Sequence, residues 1–167
     1  MTVFVLAGVS GSGKSTVGRR VADELALTFI DGDDFHPQTN IQKMAAGTPL
    51  TDEDRGPWIE ALAKAINARK PSSDAIVACS ALTKFVRDLL RDCVTEPLHF
   101  VLLTADPAII QQRLAERPSH FMKPGMLGSQ LATLQWPSDA IVIDVARSFD
   151  AVCGDVVACI RTITFGR

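Results

Sequence analysis

Gly8-Val9-Ser10-Gly11-Ser12-Gly13-Lys14-Ser15 spells out G-x-x-x-x-G-K-[ST], and the residues on either side of it decide the fold. Before it, Val3–Ala7 is a short apolar run, as a buried parallel strand should be. After it, Val17, Val21 and Leu25 recur at helical spacing. A strand, a glycine loop and a helix in that order make an anion-binding device. The glycines let successive backbone N–H groups converge, and the helix N-terminus adds partial positive charge at the same point. Lys14 is expected to reach the β- and γ-phosphates of a nucleoside triphosphate, and the Ser15 hydroxyl to complete the shell of a Mg²⁺ ion. Gly8, Val9, Ser10, Gly11, Ser12, Gly13, Lys14, Ser15 and Thr16 are the expected nucleotide-binding residues.

The rest of the chain suits one domain built on that device. With 167 residues, 47% of them hydrophobic and 22% charged, it can bury one substantial core. A net charge of −2 gives no reason to expect nucleic acid or an anionic membrane as partner. No N-terminal targeting segment is recognised, and no apolar run approaches the ~18 residues of a membrane span. Cys79, Cys93, Cys153 and Cys159 form no C-x-x-C pair and have no metal-ligand spacing with histidine. Reduced, mostly buried thiols in a cytoplasmic protein are the expectation.

Apolar runs predict strands at about 3–7, 27–31, 75–79, 98–104 and 140–145, each followed by helical or loop material. Such alternation means βαβ units, hence a parallel sheet with helices on both faces. Asp106-Pro107 reads as an N-cap and first helical residue, Thr83 as another cap, and Gly56-Pro57 as a helix start. A last helix is expected over about 149–164. Two stretches, 32–56 and 117–130, fit no regular element and are long for connections, which marks them as functional. In a phosphoryl-transfer enzyme they would cover the acceptor and the nucleotide, and exclude water.

The second strand runs into Asp31-Gly32-Asp33-Asp34-Phe35-His36-Pro37. Carboxylates at the C-terminal end of a parallel strand face the ligand crevice. Asp31 and Asp33, two apart, project to the same side if the chain stays extended. One could hold Mg²⁺ and the other orient an acceptor hydroxyl; Asp31 is assigned to the metal and Asp33 to the acceptor. His36 reads either as a substrate contact or as a solvated loop residue, and His99, inside an apolar strand, as structural. Lys43, Arg55, Lys84, Arg87 and Arg91 supply cations near the loop and strand ends, and Lys43, Arg55 and Arg87 are taken as candidate substrate contacts. Arg55 stands out after Thr51-Asp52-Glu53-Asp54, where a fixed guanidinium can fork onto a carboxylate or phosphate. Ile76-Val77-Ala78-Cys79-Ser80 sits where a Walker-B strand would end in Asp but has none, which leaves Asp31 as the metal-side carboxylate. Arg113, Arg117 and Lys123 flank the second loop; Arg117 is the candidate for neutralising charge on the transferred phosphoryl group.

Taken together, Gly8–Ser15, Asp31-Gly32-Asp33 with His36-Pro37, Asn40, Lys43-Met44, Gly47, Pro49-Leu50, Asp52 and Asp54-Arg55 with Pro57-Trp58 resemble the gluconokinase family of small P-loop kinases. Cys79-Ser80-Ala81-Leu82 with Lys84, Arg87 and Leu90-Arg91 fits as well, as does His120-Phe121 leading to Leu127, Ser129-Gln130 and Leu134. The similarity covers nearly the whole chain. It implies an α/β, three-layer P-loop kinase fold of the nucleoside-monophosphate or shikimate kinase type, with a five-stranded parallel sheet and a lid. It implies transfer of the ATP γ-phosphoryl group to the 6-hydroxyl of D-gluconate, and a homodimer. In the similar shikimate kinases the second Asp of a D-x-D at this strand end contacts the acceptor, which supports Asp33 in that role. The chain departs from relatives at Arg117-Pro118-Ser119-His120, where Lys-Gly commonly precedes the His, and at Gln135, where a Glu is usual. A kinase of another small hydroxy acid, or a P-loop module that binds ATP and signals by conformation, are the competing readings. The Asp31/Asp33 pair and the Arg55 loop favour an acceptor site over a switch.

Overall fold

The computed structural model describes residues 1–69, 74–116 and 126–166. Five parallel strands form one sheet in the order β2-β3-β1-β4-β5, from β1 (Val3–Ala7), β2 (Thr28–Asp31), β3 (Ala75–Ala78), β4 (Leu98–Thr104) and β5 (Ile141–Asp144). The described helices are α1 (Lys14–Leu25), α2 (Gln38–Ala45), α3 (Asp52–Ala68), α4 (Lys84–Cys93), α5 (Pro107–Ala115), α6 (Met126–Thr133) and α7 (Phe149–Phe165).

β1 is central, and its five residues are all buried because helices cover both faces. Alternation along the strand divides them between two cores. Val3, Val5 and Ala7 join Trp58, Ile59, Leu62 and Ile66 of α3 and Val86 and Leu90 of α4. Phe4 and Leu6 join Val17 and Val21 of α1 and Val152, Val156 and Ile160 of α7. The chain reaches β2 and β3 on one side of β1 and β4 and β5 on the other, so strand order reverses beside β1. The crevice at such a reversal, outside the carboxyl ends of the strands, is where an open α/β sheet binds ligands. The phosphate loop leaves β1 at that point.

Local sequence accounts for the helix starts. Asp106 accepts from Ala108 N–H at 2.8 Å with Pro107 as the first helical residue, and Thr83 accepts from Val86 N–H at 3.2 Å. Two expectations need correction. Helix α3 begins at Asp52, five residues ahead of Pro57. Thr51 and Asp54 form a reciprocal capping box, with Asp54 N–H on Thr51 Oγ1 at 3.3 Å and Thr51 N–H on Asp54 Oδ2 at 2.9 Å. This cap fixes the start and outweighs the preference of proline for a first turn. The stretch 32–56 is also not a structureless loop, since it holds a 3-10 turn at Gly32–Phe35 and all of α2. Of the expected lid, 117–125 lies outside the described residues. Residues 126–130 open α6, with Met126 and Leu127 buried, Leu127 packing with Val9, Leu82 and Ile110.

Candidate active site

The floor of the site is the phosphate loop. Gly13 takes φ +90° as the residue before α1 and has no side chain to cap it, so the first-turn N–H groups remain for a ligand. Gly8 is required by proximity, since a Cβ there would stand 2.4 Å from the Leu103 carbonyl oxygen of β4. Lys14 Nζ donates to the Val9 carbonyl at 3.0 Å, folding the ammonium back over the loop. Ser10 N–H donates to Gln130 Oε1 of α6 at 2.7 Å. The Ser12 hydroxyl is buried with no hydrogen-bond partner among the described residues. A buried orphan of this kind is expected where a ligand completes the bonding.

Above the loop opens a cleft lined by residues of the phosphate loop, the 3-10 turn, α2, α3 and α6. Ser10, Gly11, Gly13, Lys14, Ser15 and Thr16 line one side of it, and Asp33, His36, Arg55 and Trp58 the other. The 3-10 turn, α2 and α3 thus bring the acceptor candidates opposite the phosphate candidates. Trp58 is pinned by its Nε1–H on the Gly32 carbonyl at 2.7 Å, and the His36 ring stacks on it at 4.0 Å and 17°. Burial lowers the His36 pKa to about 4, so the ring is neutral at neutral pH. Arg55 reaches into the cleft with Nη1 held by Asp52 at 2.7 Å.

The other expected residues lie elsewhere. Asp31 does not line the cleft, because the chain stops being extended immediately after it. One oxygen caps the 3-10 turn, accepting from Asp33 N–H at 3.2 Å, and the other meets Arg19 at 3.5 Å. The same-side argument for Asp31 and Asp33 therefore fails, and with it the geometric case for Asp31 as a metal ligand. Lys43 also stands outside the lining, 2.6 Å from Asp54 Oδ1. That hydrogen bond is the main reason the Asp54 pKa falls to about 2. Arg87 is buried and donates to the Ala81 and Leu82 carbonyls at 2.9 and 3.1 Å. It braces the turn after β3, where Ala81 adopts φ +44°. Arg117 lies outside the described residues.

Sequence reasoning missed some of the wall. Trp58, Gln130 and Thr133 line it too, and the sequence alone gives none of them a role there. Only the fold places them in the cleft. A second opening lies on the far side of the loop, between Gly11–Gly13 and Arg113, Arg147 and Phe149. Arg113 is held there by the Val145 carbonyl after β5.

This loop on this sheet, facing a cleft with a carboxylate and a fixed guanidinium, defines a P-loop kinase of small molecules. A family model described as shikimate kinase matches residues 10–136. The thermoresistant gluconokinase of Escherichia coli K12 is 43% identical over 164 residues, 95% of this chain and 93% of that protein. A gluconokinase from Sinorhizobium meliloti is 38% identical with a TM-score of 0.82, covering 94% of this chain and 89% of the other. A sugar kinase from a Janibacter species is 40% identical with a TM-score of 0.83, covering 94% and 92%. The chain belongs to the gluconokinases, within the shikimate kinase family.

Proposed function

We infer that this protein phosphorylates D-gluconate with ATP, at the 6-hydroxyl, giving 6-phospho-D-gluconate and ADP. The observation that carries the reading is one cleft with Lys14 on its floor and Asp33 and Arg55 on its opposite wall. Arg55, oriented by Asp52, takes the gluconate carboxylate, leaving the far hydroxymethyl end at Asp33 and the γ-phosphate. Asp33 accepts the hydroxyl proton as the oxygen attacks phosphorus, and Lys14 balances charge on the β- and γ-phosphates. The nucleoside extends into the second opening, against Arg113, Arg147 and Phe149. Arg117 acts on the transferred phosphoryl group, and the segment around 117–130 closes over it.

Mg²⁺ fits the donors present. No group of three His, Cys, Asp or Glu side chains suited to a metal occurs among the described residues, and an ion carried on phosphates and water needs none. Ser15 is the protein group that would hold it, and the ion would offset charge on the phosphates when bound. Asp31 serves at one remove, by capping the turn that carries Asp33. Among the described residues no helix is long and apolar enough to cross a membrane; the cytoplasm is the proposed location. A homodimer is the expected assembly; Ile141 and Val142 on edge strand β5, 42% and 49% exposed, offer apolar surface to a second copy.

A coupled ADP-release assay over gluconate, shikimate, glucose and sorbitol tests the substrate. Gluconate should be turned over well above the neutral sugars. Equal turnover of glucose or sorbitol would remove the carboxylate clamp, and a preference for shikimate would change the acceptor.

A further inference from the structure

We propose that Asn40 locks His36 in the tautomer carrying its proton on Nε2, making the ring a fixed hydrogen-bond donor to the Asp33 carboxylate. The inference rests on the reading of Asp33 as the group that receives the acceptor hydroxyl, and adds two positioning residues behind it.

Asn40, in the first turn of α2 and only 2% exposed, places Nδ2 2.9 Å from the Asp54 carbonyl oxygen. A carbonyl only accepts, so the amide nitrogen, not its oxygen, occupies that position. The same nitrogen lies 3.5 Å from His36 Nδ1. Facing an NH₂ group, Nδ1 can take part only as an acceptor, and so carries no proton. A neutral imidazole with a bare Nδ1 has its proton on Nε2. Burial keeps the ring neutral, with a pKa lowered to about 4.

The proton on Nε2 is aimed at one place. Nε2 faces Asp33 Oδ1 at 3.8 Å. That is longer than a formed hydrogen bond, and the two partners differ in exposure. The His36 side chain is 5% exposed and stacked on Trp58, which Gly32 anchors, whereas the Asp33 side chain is 47% exposed. The ring is the more buried member, and the proposal assigns the closing movement to Asp33. Catalytic hydrogen bonds are often long in the free enzyme and tighten around substrate. Once made, this bond occupies one carboxylate oxygen, keeps the group ionised and turns the other oxygen toward the acceptor. Asn40 and His36, four residues apart across the start of α2, thus set the orientation of a carboxylate that neither needs to exchange a proton with.

Two measurements decide it. Long-range ¹H–¹⁵N spectra of the wild-type protein labelled at histidine read the tautomer directly; the His36 signal is identified by its loss in His36→Gln. A pyridine-type Nδ1 and a pyrrole-type Nε2 are expected, and the reverse would overturn the proposal without reference to activity. The second measurement compares His36→Gln, whose amide can donate from the Nε2 position, with His36→Asn, whose amide reaches only the Nδ1 position. His36→Asn should lose about tenfold in kcat, the low end of what a hydrogen bond to a charged group is worth. KM for gluconate and ATP should change little, and His36→Gln should recover most of the loss. Equal loss in both variants, with folding checked by thermal melting, would reduce His36 to a packing residue. Normal turnover in Asp33→Asn would instead sink the reading of Asp33, an outcome separable from the tautomer seen in the spectra.

Discussion

The two walls of the cleft are made by different means. The phosphate wall is mostly backbone: nine consecutive residues, Gly8–Thr16, with glycine conformations and a helix terminus supplying the binding groups. The acceptor wall is mostly side chain, and each side chain is held by another residue. Arg55 leans on Asp52, Trp58 on Gly32, and His36 on Trp58 and Asn40. A backbone wall binds any nucleoside triphosphate, because all share the phosphate chain. A side-chain wall can be rebuilt one residue at a time, and the proposed function puts substrate choice there.

Substitution on each wall should separate the two roles. Asp33→Asn keeps shape and hydrogen-bonding capacity but loses basicity, and should lower kcat by roughly 10²- to 10⁴-fold while ATP still binds. Lys14→Met should lower kcat by roughly 10²-fold or more, the worth of one preorganised electrostatic contact, and weaken ATP as well. The check is kcat together with nucleotide titration on both variants. If Asp33→Asn lost ATP binding while Lys14→Met kept it, the assignment of the walls would be reversed.

Arg55→Ala comes next in size. A charge-assisted bond worth about 1.5–3 kcal/mol predicts a loss of roughly 10- to 150-fold in kcat/KM for gluconate. Arg55→Lys should recover little, since an ammonium cannot form the fork. The difference between the walls sharpens if the loss falls on gluconate KM and leaves ATP KM alone. A change in ATP KM of the same size would place Arg55 on the phosphate wall.

The same contrast explains what could be read from the chain. The phosphate loop and the buried strands were legible because each is contiguous: β1 and β3 are unbroken apolar runs buried on both faces. The last helix was legible from Val152, Val156 and Ile160, all on one face. The acceptor side was not, for local reasons. Helix α2 buries only Asn40 and Met44, too little pattern to announce a helix. Pro57 drew the start of α3 to itself, although the Thr51–Asp54 box sets it earlier. The 3-10 turn after Asp31 broke the extended spacing on which the paired-carboxylate argument relied. Asp33 and Arg55 could be given roles from type and context, whereas Trp58, Asn40 and Gln130 entered only as part of the family pattern, since the contacts that give them roles span distant segments. Lys43 and Arg87 were drawn in by charge and by the family pattern, and the fold gives both of them structural partners.

Lys43 offers the smallest effect and the cleanest test of that last distinction. Its ammonium is the largest cause of the lowered Asp54 pKa, about 2 against an ordinary 3.8. A depressed carboxylate contributes stability that is fully present above its unfolded pKa and is lost as pH falls through the folded value. The contribution should therefore be complete above about pH 4 and gone below about pH 2. Lys43→Met raises the Asp54 pKa back toward its ordinary value. Wild type should melt slightly higher than Lys43→Met at pH 7, and the gap should close across that acid window. Because Lys43 stands outside the cleft lining, kcat/KM for gluconate should stay within about twofold of wild type, as for surface substitutions worth a few tenths of a kcal/mol. A loss as large as that of Arg55→Ala, with no pH-dependent change in melting, would move Lys43 from the cap of α3 into the substrate site. The acceptor wall would then extend one residue farther than the fold places it.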